Sequence, residues 1–212
     1  MNKLGHLKRV PFLKDLTIGK TKALVFDMDG TLLNSEILHA KALIDLVKNT
    51  EEDVSELLEL MTGMAEPDCY HLLKERKLIE EKYTFDDFIY YKNELFKTYL
   101  SENSVRESLI NIKILELISD AKKQDLKIAL VTASERSTTE LFLNFLNIAE
   151  EFNLILTRGD SLKSKPHADP YLLCFERLNI EPSEVIIFED SPTGLKAASL
   201  SNAPYYQVSW YY

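Results

Sequence analysis

Cysteine is scarce in this chain. Cys69 and Cys174 are the only two, far apart and without the spacing of a metal-ligating pair. A disulfide-stapled scaffold and a thiolate zinc site are therefore not expected, and two reduced, part-buried thiols in a cytoplasmic protein are. Positive charge is also in deficit: 25 Lys and Arg stand against 34 Asp and Glu, a formal net charge of −9. That argues against a fold-wide basic face for nucleic acid, so any anionic substrate must meet local positive charge or a metal. Long apolar runs are missing as well. No segment approaches the roughly 18 residues that cross a membrane, so no membrane partner is expected. The first 22 residues set Lys3, Lys8, Arg9, Lys14, Lys20 and Lys22 against Asp15 and lack the continuous apolar core of a secretory signal. They read as an extension leading into the first strand. Internal repeats and low-complexity tracts are absent.

What remains is a globular composition. With 212 residues, 45% apolar and 28% charged, the chain suits one sizeable domain, or a core with a smaller insert. Four short apolar runs each end in polar residues: Ala23-Leu24-Val25 before Phe26-Asp27-Met28-Asp29, Lys127–Val131 before Thr132-Ala133-Ser134, Asn153–Leu156 before Thr157-Arg158-Gly159, and Glu184–Phe188 before Glu189-Asp190-Ser191. Continuous apolar runs, rather than alternation, fit strands buried on both faces of a parallel sheet. Helical spacing separates them, at 109–123, 138–146, 169–178 and 192–201, the last with Ser191 as N-cap and Pro192 at the first helical position. Strands alternating with helices predict an α/β fold with a doubly wound, mostly parallel sheet. In such sheets ligands gather at the carboxyl ends of the strands, where all four polar clusters fall.

Between the first strand and the helix near 109 lie about 75 residues without a good strand. Segments 35–49, 52–62, 67–78 and 84–100 are helical in pattern. We read residues 34–103 as an inserted helical domain, with Ser101-Glu102-Asn103-Ser104 as a polar return hinge, and residues 1–33 and 104–212 as the core domain. The aromatic-rich stretch Tyr83 to Tyr99 reads as a packing helix.

The chemistry lies at the strand ends. Residues i and i+2 of a strand point the same way, so Asp27 and Asp29 can face one pocket, and Gly30 tolerates the turn that follows. Glu189 and Asp190 bring two more carboxylates. Acids that converge in one cleft cannot all ionise cheaply unless a cation joins them. Oxygen-only donors favour a hard ion, Mg2+ above Zn2+. A hydroxyl from Thr132 and a compact positive charge from Lys165, restrained by Pro166, suit phosphoryl oxygens. Phosphoryl transfer needs those oxygens neutralised and the attacking and leaving groups held in line. One carboxylate can attack phosphorus while a second handles the proton of the leaving oxygen.

The segments FDMDGTLLNSE, LVTAS, SKPHADPYL and IIFEDSPTG resemble, in order, the four motifs of the haloacid dehalogenase-like phosphohydrolases, over about residues 22 to 208. The insert resembles the alpha-helical cap of the subgroup that contains β-phosphoglucomutase and phosphoglycolate phosphatase. The resemblance implies a Rossmann-like core and names roles. Asp27 is the nucleophile that forms an aspartyl-phosphate. Asp29 is the general acid and then the base, with its backbone carbonyl on Mg2+. Thr132, Lys165 and the Ala133 amide hold the phosphate. Asp190 ligates Mg2+ together with Asp27, and Glu189 assists directly or through water. His39 matches a cap position that meets substrate or gates the acid. The dehalogenases lack an acid two residues after the nucleophile, so Asp29 favours phosphoryl transfer.

In the mutases an arginine follows a cap glycine and binds a second phosphate. Here Gly63 is followed by Met64, Ala65 and Glu66, an acid where that cation belongs. A clamp would then need Lys92 or Lys97. The expected function is a Mg2+-dependent phosphatase of a small phosphorylated metabolite such as a sugar phosphate, with a phosphomutase or a non-catalytic binding protein as alternatives. It is expected to be a monomer or weak homodimer, the aromatic end Trp210-Tyr211-Tyr212 being one candidate contact.

Overall fold

The computed structural model describes residues 3–7, 20–47, 54–61, 64–102, 105 and 108–209. Most of the basic opening stretch, Thr62 and Gly63, half of the expected hinge (Asn103 and Ser104) and the end Trp210-Tyr211-Tyr212 lie outside the described residues. The chain divides into two compact units, one formed by Met1–Asn34 with Ile110–Tyr212 and the other by Ser35–Leu109.

The first unit is built on a six-stranded sheet of parallel pairs, ordered β1-β6-β5-β2-β3-β4. The strands are β1 (Lys3–Leu7), β2 (Ala23–Phe26), β3 (Lys127–Val131), β4 (Leu154–Leu156), β5 (Val185–Glu189) and β6 (Tyr205–Val208). The uninterrupted Val, Ile and Leu content of β2, β3 and β5 places them at the centre, where both faces are covered. On one face Val25, Ala129, Val131 and Ile187 pack with Tyr171, Cys174 and Phe175 of α7 (Asp169–Leu178) and Ala197 and Ala198 of α8 (Pro192–Leu200). A fully buried side chain of the Phe or Ile size contributes about 1.5–3 kcal/mol of transfer free energy. Helices α5 (Ile112–Lys122) and α6 (Arg136–Leu146) complete this unit. α7 and α8 both start with proline in the first turn, and Ser191 accepts a hydrogen bond from the Gly194 N–H to cap α8.

Register sets the site. Phe26 pairs with Leu130 on one side and Phe188 on the other, so β2, β3 and β5 end nearly level. The Phe26 and Phe188 rings stack at 4.8 Å, and the Asp27 N–H donates to the Phe188 carbonyl at 3.0 Å. The residues just after each strand therefore emerge along one edge.

The sequence reading missed two strands. Lys3–Leu7 pairs in parallel with β6 at the sheet edge instead of serving only as an extension. Its Lys-Leu-Gly-His-Leu sequence has no continuous apolar run. β6, Tyr-Tyr-Gln-Val, has only its end residues buried, so it too lacks the pattern of the central strands.

The second unit holds α1 (Glu36–Leu46), α2 (Val54–Met61), α3 (Glu66–Glu75) and α4 (Phe85–Leu100). Thr84 and Asp87 form a reciprocal capping box at the start of α4. Phe88, Phe96 and Tyr99 of the aromatic stretch are buried, whereas Tyr90 and Tyr91 are exposed, so packing explains the first three only. The Tyr99 hydroxyl donates to Asp45. Lys92 is buried at 2% exposure, paired with Glu66, and lies over the Phe88 and Phe96 rings. Both cysteines are buried, and burial pushes each thiol up to about 12, which keeps them unreactive. Among the described residues no helix is long and apolar enough to cross a membrane.

Candidate active site

Asp27 follows β2 directly, and the chain then makes a tight turn. The amides of Leu32 and Leu33 both donate to the Met28 carbonyl at 2.9 Å, and Gly30 donates to the Leu33 carbonyl at 2.7 Å. Gly30 has φ +81, a conformation side chains disfavour. A Cβ there would lie 2.0 Å from Asp190 Oδ2. Glycine is thus required twice over, by the backbone and by the approach of Asp190. The neighbouring Thr31 hydroxyl donates to Asp190 Oδ1 at 3.0 Å and fixes that carboxylate beside Asp27.

Lys165 connects the motifs. Its ammonium donates to Asp27 Oδ1 at 2.6 Å, Glu189 Oε1 at 2.5 Å and the Val131 carbonyl at 2.9 Å, with only 4% of its side chain exposed. Burial opposes a charge there, but Asp27 and Glu189 outweigh it and hold the ammonium well above its usual range. Tyr171, which the sequence reading passed over, lies under this ammonium at 5.1 Å, and its hydroxyl donates to Glu189 Oε1 at 3.1 Å.

Glu189 is fully buried and densely bonded. Besides Lys165 and Tyr171 on Oε1, its Oε2 accepts from the Asp190 amide at 2.9 Å, the Ser191 amide at 3.1 Å and the Ser191 hydroxyl at 3.2 Å. A Cβ on Gly194 would lie 1.7 Å from Oε1, so the first turn of α8 is shaped around this carboxylate. Its oxygens already serve five donors, which makes it a support for Lys165 and for the Asp190 turn more than an open ligand.

Asp27, Glu189 and Asp190 each offer a carboxylate oxygen within 4.8 Å of the others. One ammonium faces three acids, with Asp29 close by in sequence. Burial drives Asp27 well above the usual carboxylate range, and the charges of Glu189, Asp190 and Asp29 add to this against Lys165. Asp190 is pushed up to about 7, by burial first and then by Glu189. This excess of negative charge and the all-oxygen donor set fit a hard divalent cation, with Asp27 and Asp190 the better-placed donors.

A pH dependence follows. Asp190 must lose its proton to bind an ion. Divalent-cation affinity at this cluster is expected to fall as pH drops below about 7, measured by calorimetry. A flat profile would contradict it. Without the ion the sign reverses. The folded-state value lies above the unfolded one, so the Asp190 contribution to stability falls as pH rises from the ordinary carboxylate value through about 7.

Thr132, after β3, is buried, and its hydroxyl oxygen accepts from the Ser134 amide at 3.0 Å. Ala133 is exposed between them. The Ser134 hydroxyl donates to Asp29 Oδ2 at 2.5 Å. The structure therefore brings Asp27, Asp190, Glu189 and Lys165 into one cluster and ties Asp29 to the Thr132 turn through Ser134. His39 lies in the other unit, on α1, edge-on to Phe96 at 5.1 Å. Arg136 and Arg158 are committed to Asp160 and Glu135. Thr31, Ser134, Tyr171 and Gly194 are the contributors the sequence reading left without roles. Only their places inside the four motifs could have marked them.

A family model described as haloacid dehalogenase-like hydrolase matches residues 24–208. The phosphorylated carbohydrates phosphatase of Thermotoga maritima is 31% identical over 179 residues, 84% of this chain and 80% of that protein. Among solved structures, CbbY from Rhodobacter sphaeroides in complex with phosphate superposes with a TM-score of 0.76 at 23% identity, covering 90% of this chain and 87% of that one. β-Phosphoglucomutase from Clostridium difficile gives 0.66 at 22% identity, covering 90% and 86%. At such identities these two structures speak for the fold alone.

Proposed function

Because the chain belongs to the haloacid dehalogenase-like hydrolases, we propose that it is a Mg2+-dependent phosphatase of a small phosphorylated metabolite, a sugar phosphate or similar, working through an aspartyl-phosphate. The carrying observation is the buried Lys165 held between Asp27 and Glu189, with Asp190 adjacent. The similarity to a phosphatase of phosphorylated carbohydrates supports the substrate class.

In this reading Asp27 attacks phosphorus with the carboxylate oxygen that Lys165 does not engage. Lys165 keeps that side chain oriented and offsets charge on the transferring group. The Thr132 hydroxyl and the amides of Asp29 and Ala133 bind the phosphoryl oxygens. Asp29 protonates the leaving oxygen and then takes a proton from the water that hydrolyses the acyl phosphate. Asp27, Asp190 and the Asp29 carbonyl would hold Mg2+, which would supply neutralisation of phosphate charge. We assign substrate selection, including any role of His39, to the helical domain (residues 34–103). We also place the protein in the cytoplasm, as a monomer or weak homodimer.

A phosphomutase needs a cation for a second phosphate. Lys92 is paired with Glu66, and Lys97 with Glu94 at 2.5 Å. Both candidate cations are thus engaged by acids of their own unit, which supports the phosphatase. A panel of sugar phosphates, glucose 1-phosphate included, tests the choice. Mg2+-dependent phosphate release without a positional isomer is expected. Appearance of glucose 6-phosphate would favour the mutase, and silence across the panel would favour a binding protein.

A further inference from the structure

We infer that Ser134 is a positioning residue for Asp29 and thereby sets how well the enzyme cleaves esters with poor leaving groups; this rests on the phosphatase reading above. Ser134 is buried at 7% exposure and is held from three sides. Its amide donates to Thr132 Oγ1 at 3.0 Å, its carbonyl accepts from the Arg158 amide at 3.0 Å, and its hydroxyl donates to Asp29 Oδ2 at 2.5 Å. The backbone around Ser134 is therefore anchored to the ends of β3 and β4, and its side chain carries that anchorage to Asp29.

A serine hydroxyl has one proton to give. Given to Oδ2, it defines that oxygen as an acceptor and leaves Oδ1 to carry the proton for the leaving group. In the step itself an Asp27 oxygen forms its bond to phosphorus while the bond from phosphorus to the ester oxygen breaks. The electron pair of the broken bond goes to the ester oxygen. The proton on Asp29 Oδ1 moves to that oxygen, so the product is a neutral alcohol and Asp29 becomes a carboxylate. The hydrogen bond from Ser134 is then charge-assisted, roughly twice as strong as a neutral one. It stabilises the transition state more than the ground state, the condition for raising rate.

The contribution matters only where the leaving oxygen needs a proton. A nitrophenolate leaves readily without one; an alkoxide does not. The experiment compares kcat/KM for p-nitrophenyl phosphate and for a series of alkyl and sugar phosphates, with saturating Mg2+, in wild type, Ser134→Ala and Ser134→Thr. Ser134→Ala is expected to lose about tenfold or more with alkyl esters and several-fold less with the nitrophenyl ester, a share of the 10²–10⁴ that acid catalysis supplies. Ser134→Thr, which keeps the hydroxyl, restores the wild-type dependence on leaving group. If the alanine variant fails to fold, Ser134→Cys, nearly isosteric with a weaker donor, shows the same direction. Equal loss across the series, or a folded threonine variant that keeps the alanine pattern, would overturn the inference. Wild-type inactivity on every ester would instead overturn the phosphatase reading, and this inference with it.

Discussion

Lys165→Met is expected to abolish turnover and to lower folding stability by about 3–5 kcal/mol, the cost of breaking a buried ion pair by removing one partner. Methionine nearly matches the lysine stem, so packing changes little and the loss reports charge. In wild type the ammonium makes three hydrogen bonds, to Asp27, Glu189 and the Val131 carbonyl. Removing it leaves buried carboxylates facing one another without a counter-charge. They respond by holding protons. The stability deficit should therefore be larger near pH about 8 than near pH about 5, since the folded state of the variant binds protons the unfolded chain does not. Urea denaturation at the two pH values measures this. A loss below about 1 kcal/mol would mean that Lys165 is not the centre of the cluster's electrostatics.

Asp27→Asn should lower turnover by about 10⁴-fold or more, in line with the removal of a nucleophile elsewhere, and leave the fold within about 1 kcal/mol of wild type. Asparagine keeps an oxygen for Lys165 and removes one of the crowded buried charges that drive Asp27 upward. Loss of activity without loss of stability is the signature that separates this substitution from Lys165→Met. Residual turnover above about one part in a hundred would assign the attack to another group.

The central strands were legible because parallel strands covered on both faces must be apolar throughout. Leu24-Val25, Ile128–Val131 and Ile186-Ile187 announce themselves that way, and the polar residues after them mark the strand ends. The candidate site residues Asp27 and Asp190 were legible for a related reason: charged side chains at the tips of buried strands have no packing role; Lys165, in the loop before α7, was marked instead by the Pro166 that follows it. β1 and β6 were not legible, because strands at or next to the sheet edge carry mixed patterns. Tyr171 and Gly194 read as ordinary helix positions in α7 and α8. Their importance comes from Glu189, which reaches them only once β5 and the two helices are folded. Ser134 was only the last of the polar residues after the Lys127–Val131 run, and its contact with Asp29 appears only in the folded chain. Glu189 was expected to assist at the metal directly or through water; it stands in the acid cluster and is also surrounded by donors, which its sequence position did not show.

The most direct measurement traps the covalent step. Protein loaded with Mg2+ is mixed with a turned-over phosphate ester, quenched, reduced with borohydride and digested, so that an acyl phosphate becomes homoserine at its own position. Homoserine at residue 27, present with Mg2+ and absent with chelator, is the predicted result. Homoserine at residue 29 or 190, or phosphate release at full rate with none at any aspartate, would contradict it.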